Sequence, residues 1–360
     1  MFRINFKKAL YQLHLWLGLC SGLVVFILGI TGSIYAFADE LKAVLYRDRL
    51  YVEVPAGAKP KSFDELLNVA QAKLGSKKKI SRVEIQTAPN RSYMFRSLKS
   101  GVYFEKVYVD PYTARVVFHE DANCEFFNVV LSLHRTLLLG DKVGHFIIRW
   151  SVVCFVFLLL SGIVLWWPTK WKANVLKAKF KVKWNTKKKR LNYDLHQVFG
   201  FYAFIALLII ALTGLMWSFD LVAEKKTKLT SDTKRTTVAA SNNQILSKVV
   251  SFNTRAAYYL INIPAAKSGT VNVSAYLDPD KIHQRIQYRF DRYSGKLLLQ
   301  GKTFETLSLS DQIKSLNYDL HTGSVMGILG KIIAFIAGLI AASLPVTGFL
   351  MWLWRGKKQH

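Results

Sequence analysis

Four histidines stand at or just before the mouths of long apolar segments, each behind a leucine: Leu13-His14, Leu133-His134, Leu195-His196 and Leu320-His321. Near the far end of each segment a hydroxyl residue precedes a glycine: Thr31-Gly32, Ser161-Gly162, Thr213-Gly214 and Thr347-Gly348. From histidine to glycine is 18 residues in the first and third units, and 28 and 27 in the second and fourth. Apolar sequence in general carries no such register. Imidazoles repeated at helix mouths suit haem, because an electron-transferring haem iron takes two axial ligands and a helix bundle supplies them from facing helices. Cys-x-x-Cys-His is absent, so the haem expected is of the non-covalent b type. One histidine near a helix end is commonly just an interfacial residue; four in register argue against that reading.

The segments that must position these histidines are nearly charge-free over roughly 10–38, 146–167, 198–219 and 328–354. Each has the ~20 residues that cross about 30 Å of hydrocarbon, where only a helix satisfies its own backbone. The expected fold class is a membrane protein with four transmembrane α-helices, carried by 1–38, 146–167, 198–219 and, with the tail, 324–360. Ala36-Phe37-Ala38 resembles a signal-cleavage site. The apolar stretch before it is about twice a signal's 7–15-residue core, so the segment reads as retained.

Between Pro168 and Leu195 stand ten Lys and Arg, among them Lys170, against the single Asp194. The N-terminus (Arg3, Lys7, Lys8) and the tail (Arg355, Lys357, Lys358) are basic too. Positive charge in short loops marks the cytoplasmic side. The basic loop 168–197 and both termini are therefore expected inside, with 39–145 and 220–323 outside, in the periplasm. Most of the +27 net charge is then topological rather than a nucleic-acid footprint, and the loop can meet anionic lipid headgroups. Cys20, Cys124 and Cys154 form no framework that would serve thiol redox chemistry or an iron–sulfur cluster.

Topology and spacing sort the histidines. The order helix out, module, helix back occurs twice, as a tandem two-helix repeat. His14 and His196 match on the cytoplasmic side. His134 and His321 match on the outer side, each followed six residues later by glycine, Gly140 and Gly327. Two pairs at opposite faces would hold two haems. At a 1.5 Å rise, however, 27–28 residues extend about 40 Å, so His134 and His321 project above the bilayer unless the chain breaks near Gly140-Asp141 or Gly323. His145 is the rival for the external site, 17 residues before Gly162. Its counterpart 17 residues before Gly348 is Lys331, which is no ordinary axial ligand. Arg135, Arg149 and Lys331 stand where they could pair with haem propionates or serve as interfacial anchors, and both readings stay open. His119 and His283 read as surface residues of the outer modules, and His360 belongs to the tail.

Each outer segment reads as a small α+β module. Residues 62–75 have helical periodicity, and 81–87, 92–98 and 103–109 are β-branched and aromatic with turn signals between them. Val107 to Val117 reads as strand, tight turn, strand around Asp110-Pro111, and Gln287 to Leu298 repeats the pattern. These hairpins resemble PepSY modules. The segments His14-Leu-Trp-Leu-Gly18, His134-Arg-Thr-Leu-Leu-Leu-Gly140 and Leu160-Ser-Gly-Ile-Val-Leu-Trp-Trp-Pro168 resemble the PepSY-associated transmembrane family over essentially the whole chain. That family includes inner-membrane ferric-siderophore reductases with two b-type haems.

The resemblance implies an oxidoreductase with two haem b groups, held by His14 with His196 and by His134 with His321, that reduces periplasmic ferric siderophore. No nicotinamide or flavin fingerprint occurs, so electrons would come from the quinol pool or from a separate cytoplasmic donor. The alternative from another class is a haem-free membrane scaffold whose modules regulate or inhibit a periplasmic peptidase.

Overall fold

The computed structural model describes residues 6–168, 172–222, 229–233 and 241–356. Arg3, Lys170, Lys357, Lys358 and His360 lie outside them. In chain order the elements begin with α1 (Phe6–Ala36), α2 (Ala38–Leu45), α3 (Arg47–Leu50), α4 (Phe63–Leu74), β1 (Arg82–Gln86), β2 (Tyr93–Lys99), β3 (Tyr103–Val109) and β4 (Val116–Asp121). Then follow α5 (Phe126–Thr136), α6 (Gly140–Trp166), α7 (Ala173–Phe180), α8 (Lys188–Ser218) and α9 (Asn242–Phe252). The chain closes with β5 (Tyr258–Asn262), β6 (Val271–Tyr276), β7 (Arg285–Phe290), β8 (Leu297–Gln300), α10 (Leu309–Thr322) and α11 (Gly327–Gly356). Two compact units result. One gathers Met1–Ala38, Val129–Ala223 and Asn317–His360, the other Asp39–Asn128 and Glu224–Leu316.

In the helical unit α1, α6, α8 and α11 are each long and apolar enough to cross a membrane. Neighbours run α1–α6–α8–α11 and back to α1, which leaves α1 and α8 diagonal across a four-helix bundle. Without a hydrophobic drive between helices in lipid, close approach needs small residues, and the α1–α11 seam supplies them. A Cβ at Gly29 would stand 2.6 Å from the Gly338 carbonyl oxygen and 2.7 Å from the Ala342 nitrogen. Ser33 hydroxyl donates across the same seam to the Phe335 carbonyl at 3.0 Å.

The chain breaks just before the N-terminal ends of α6 and α11, at the places the spacing left open. Leu137, Leu138 and Gly140 take positive φ (52°, 59° and 75°), and so do Gly323 and Gly327 (81° and 62°). These left-handed residues end α5 and α10 and turn the chain into the spans. The second and fourth spans therefore start earlier than the apolar runs at 146 and 328, and α8 takes in Lys188, Lys189 and Arg190 from the segment read as loop 168–197. The boundaries 39–145 and 220–323 for the outer modules also move. Residues 129–145 and 317–323 pack with the helical unit, because their histidines dock on α1 and α8.

The sheet unit is one antiparallel sheet in the order β4-β3-β2-β1-β5-β6-β7-β8. Each half runs helix then four strands. A four-stranded module alone would leave a bare edge strand, which invites pairing. Here β1 and β5 satisfy each other in register from Arg82↔Asn262 to Gln86↔Tyr258. The two modules read as separate in sequence are thus one sheet. Its covered face packs Val83, Ile85, Phe95, Val107, Ile261, Val273 and Tyr288 under Leu66 and Ala70 of α4 and Ile245 and Val249 of α9. Asp110 accepts from the Tyr112 amide at 2.8 Å and Asp291 from the Ser294 amide at 2.7 Å, so the turn chemistry read for both hairpins is present. His283 is not a surface residue: it is 9% exposed, with its ring 4.8 Å from Phe304. His119 is an exposed residue, as read, and meets Glu105 at 2.8 Å.

Candidate functional site

Each histidine docks on the hydroxyl–glycine pair of a different helix. His14 Nδ1 on α1 lies 2.8 Å from Ser161 Oγ on α6, and His134 Nδ1 on α5 lies 2.9 Å from Thr31 Oγ1 on α1. His196 Nδ1 on α8 lies 2.8 Å from Thr347 Oγ1 on α11, and His321 Nδ1 on α10 lies 3.0 Å from Thr213 Oγ1 on α8. The clasp is reciprocal within each half of the chain. The histidine near the start of one spanning helix, or on the short helix before it, seats on the far end of its partner, which antiparallel helices bring to the same level.

Hydrogen-bond accounting assigns the proton. Thr31, Thr213 and Thr347 hydroxyls donate to the carbonyls of Ile27, Ile209 and Ser343 at 2.7, 2.7 and 2.9 Å. Ser161 donates to Leu158 at 3.2 Å. With its hydrogen engaged, each hydroxyl is left to accept, so the imidazole Nδ1–H donates. His321 Nδ1 also lies 3.0 Å from the Ile210 carbonyl, a group that can only accept. The nitrogen left with a lone pair is Nε2, the state a metal-ligating histidine needs.

The glycine after each hydroxyl makes room for the ring. A Cβ at Gly32 would stand 3.1 Å from His134 Cε1, and one at Gly214 3.3 Å from His321 Cε1. At Gly162 and Gly348 the distance to Cε1 of His14 and His196 would be 3.5 Å.

The structure brings His134 and His321 together. Their ring centres are 6.2 Å apart with planes at 71°. Two imidazole–metal bonds of about 2.0–2.1 Å, plus roughly 1.1 Å from each nitrogen to its ring centre, span about 6.3 Å. A spacing of that size would admit one metal between the two rings. Among the described residues no three His, Cys, Asp or Glu gather as a metal cage. A cavity of about 710 Å³ adjoins both rings, within the range of cofactor pockets. His14 and His196, on the diagonal helices α1 and α8, lie within electrostatic reach of each other at the other level of the bundle. Leu159, Ala203, Leu207, Ala211, Ala337 and Ala341 form a buried apolar cluster in the bundle.

The other predicted residues divide. Arg149 lines the cavity, donates to the Ser218 carbonyl and lies 4.8 Å over the Phe219 ring. Its Nε is buried with no partner among the described residues. Arg135 reaches the cavity rim and is exposed. Lys331 is 6% exposed and does not line the cavity. His145 does line it, but turns toward Asp141 at 3.7 Å and, among the described residues, touches no other histidine ring.

The hexapeptide Leu191-Asn-Tyr-Asp-Leu-His196 recurs identically as Leu316-Asn-Tyr-Asp-Leu-His321, a signal the spacing argument passed over. Asn192 and Asn317 donate to the carbonyls of Thr347 and Thr213 at 2.9 and 3.1 Å, so the His196 and His321 clasps are two-point attachments one helical turn long. Asp194 and Asp319 are fully buried. Asp194 is bound by Arg190 at 2.9 Å and Asp319 by the Ser324 hydroxyl at 2.7 Å, the latter pinning the break after α10. Scanning the chain against itself for short identities finds all of these.

Set against known protein families, residues 11–355 match the family described as PepSY-associated TM region. A comparison with curated proteins finds no match.

Proposed function

The chain belongs to the PepSY-associated transmembrane family, and from that premise we propose that it is an inner-membrane b-type dihaem cytochrome that passes electrons outward to reduce a ferric siderophore or similar ferric chelate. The outer histidine pair carries the reading: two rings 6.2 Å apart, with both Nε2 nitrogens left for one metal. His134 and His321 would hold the outer haem and His14 and His196 the inner one. Arg149, with its unpartnered Nε, and Arg135 would meet propionates. When bound, the haem supplies one-electron chemistry at iron.

The chain's own residues do the rest. Thr31, Ser161, Thr213 and Thr347 hold the imidazoles in one tautomer and raise their basicity as ligands. The apolar cluster around Leu159 and Leu207 keeps water from the interior between the two levels. The basic residues of 168–197 put that segment in the cytoplasm, with the donor, quinol or a separate reductase, on that side. The sheet unit then lies in the periplasm with the ferric chelate. One electron converts Fe(III) to Fe(II), which hard oxygen ligands hold more weakly, and iron is released. The shared helix-then-four-strand order of the two halves of the sheet, and a strand irregularity at Tyr108/Val109 and again at Arg289/Phe290, support a tandem two-helix repeat.

The test is the visible spectrum of detergent-purified protein from haem-sufficient cells. Two low-spin b-type haems per chain that re-oxidise when ferric chelate is added are expected. Colourless protein, as a haem-free peptidase-regulating scaffold would give, overturns the proposal.

A further inference from the structure

The sheet face turned away from α4 and α9 carries a straight cross-strand row. Lys106, Arg96, Arg82, Asn262, Asn272 and Arg289 stand each directly opposite the next on β3, β2, β1, β5, β6 and β7. Their chain neighbours Val107, Phe95, Val83, Ile261, Val273 and Phe290 point into the core, as the two-residue period of a strand requires. Like charges directly opposite are destabilising, and here three cations follow one another. Lys106 is drawn aside by Glu120 and Glu125 at 3.6 and 3.8 Å. Among the described residues Arg82 and Arg96 have no carboxylate partner of this kind.

Arg82 Nε donates to Asn262 Oδ1 at 2.7 Å. Arg96 lies 5.5 Å over the Phe104 ring, and its Nε is buried with no partner among the described residues. Glu84, on the same face two residues from Arg82, accepts from Gln86 at 2.7 Å and, among the described residues, pairs with neither guanidinium. Burial, and then the charge of Arg82, pull the Arg96 guanidinium down to about 10. A fold that sets two guanidiniums side by side without an acid carries a standing electrostatic cost. Guanidinium forks match paired oxygens of an anion in geometry as well as charge.

We propose that the Arg82–Arg96 row is a binding site for a negatively charged, oxygen-rich ferric chelate of the catecholate or carboxylate class. The inference rests on the reading of the chain as a ferric-chelate reductase and sharpens it: the sheet selects anionic chelates over neutral hydroxamate ones. The row binds and orients; it performs no redox step.

The test uses full-length protein and redox-inert probes, gallium(III) tris-catecholate and a neutral gallium(III) tris-hydroxamate, by equilibrium dialysis. Wild type should prefer the anionic probe, and added salt should weaken that binding. Arg82→Gln with Arg96→Gln should lower affinity for the anionic probe at least about tenfold, roughly 1.4 kcal/mol, and leave the neutral probe unchanged. The double variant should also melt no lower than wild type, since a repulsion is lifted, which separates lost binding from lost folding. Unchanged affinity, equal loss for both probes, or equally tight displacement by inorganic phosphate overturns the site. Haem content, measured on the same samples, reports separately on the reductase reading. Charge-selective binding by haem-free protein sinks that reading alone, whereas dihaem protein without charge preference sinks the site alone.

Discussion

Ser161→Ala and Thr213→Val remove the same group from one clasp of each histidine pair, yet the structure predicts unequal results. His14 Nδ1 has one acceptor among the described residues, Ser161 Oγ at 2.8 Å. His321 Nδ1 has Thr213 Oγ1 at 3.0 Å and also the Ile210 carbonyl at 3.0 Å. In Ser161→Ala the His14 N–H is left unmet in a half-buried setting, at a cost of about 1–3 kcal/mol. Loss of such a supporting partner weakens metal binding by about 10–100-fold, which agrees with that energy. In Thr213→Val the Ile210 carbonyl still accepts, so the loss is at most one net hydrogen bond, about 0.5–1.5 kcal/mol, and less than roughly tenfold.

Haem titration into apoprotein, followed at the Soret band with a competing apoprotein to fix affinity, reads this directly. Ser161→Thr, which installs the residue standing at the other three positions, should restore binding. Equal losses in Ser161→Ala and Thr213→Val would refute the assignment of Nδ1 as the anchored nitrogen. So would full affinity in Ser161→Ala beside complete loss in His14→Ala.

Three further outcomes are expected. Retention of the outer haem should fail in His134→Ala and persist in His145→Ala, because among the described histidines His134, and not His145, stands ring to ring with His321; pyridine haemochrome counts on the purified variants decide, and the reverse pattern transfers the ligand role to His145. Gly32→Ala should perturb the outer haem spectrum more than Gly348→Ala perturbs the inner one, since the new methyl group stands 3.1 Å from an imidazole carbon in one and 3.5 Å in the other; reduced-minus-oxidised spectra compare them. Burial would raise the Glu125 carboxyl, but the Tyr46 hydroxyl, the Phe127 amide, Lys106 and Lys42 hold it below its ordinary value of 4.5. That stability is present above about pH 4.5 and lost as pH falls through the lowered value, so Glu125→Gln should melt lower than wild type at neutral pH and show a flatter decline of melting temperature on acidification. Parallel curves would exclude it.

Much of the helical unit was legible in the chain. Lipid demands about 20 apolar residues per span, which is a local property, and the glycines six residues after His134 and His321 marked where α6 and α11 begin. The hairpins were legible as well, through Asp110 and Asp291, because turn chemistry acts over two or three residues. The histidines and their hydroxyl–glycine pairs were visible as types and spacings, but their partners were not. His14 answers to Ser161 and His134 to Thr31 across more than a hundred residues, and nothing in either helix alone states which neighbour it will face.

Types, spans and breaks are therefore properties of the sequence, each governed by neighbours a few residues away. The imidazole proton, the 6.2 Å gap between His134 and His321, and the merging of two modules at β1 and β5 belong to tertiary structure alone. A tautomer depends on what the other ring nitrogen touches, a ligand gap on two helices packing at one distance, and strand pairing on which edge is left bare. These are contacts between segments far apart in the chain, and only packing selects them.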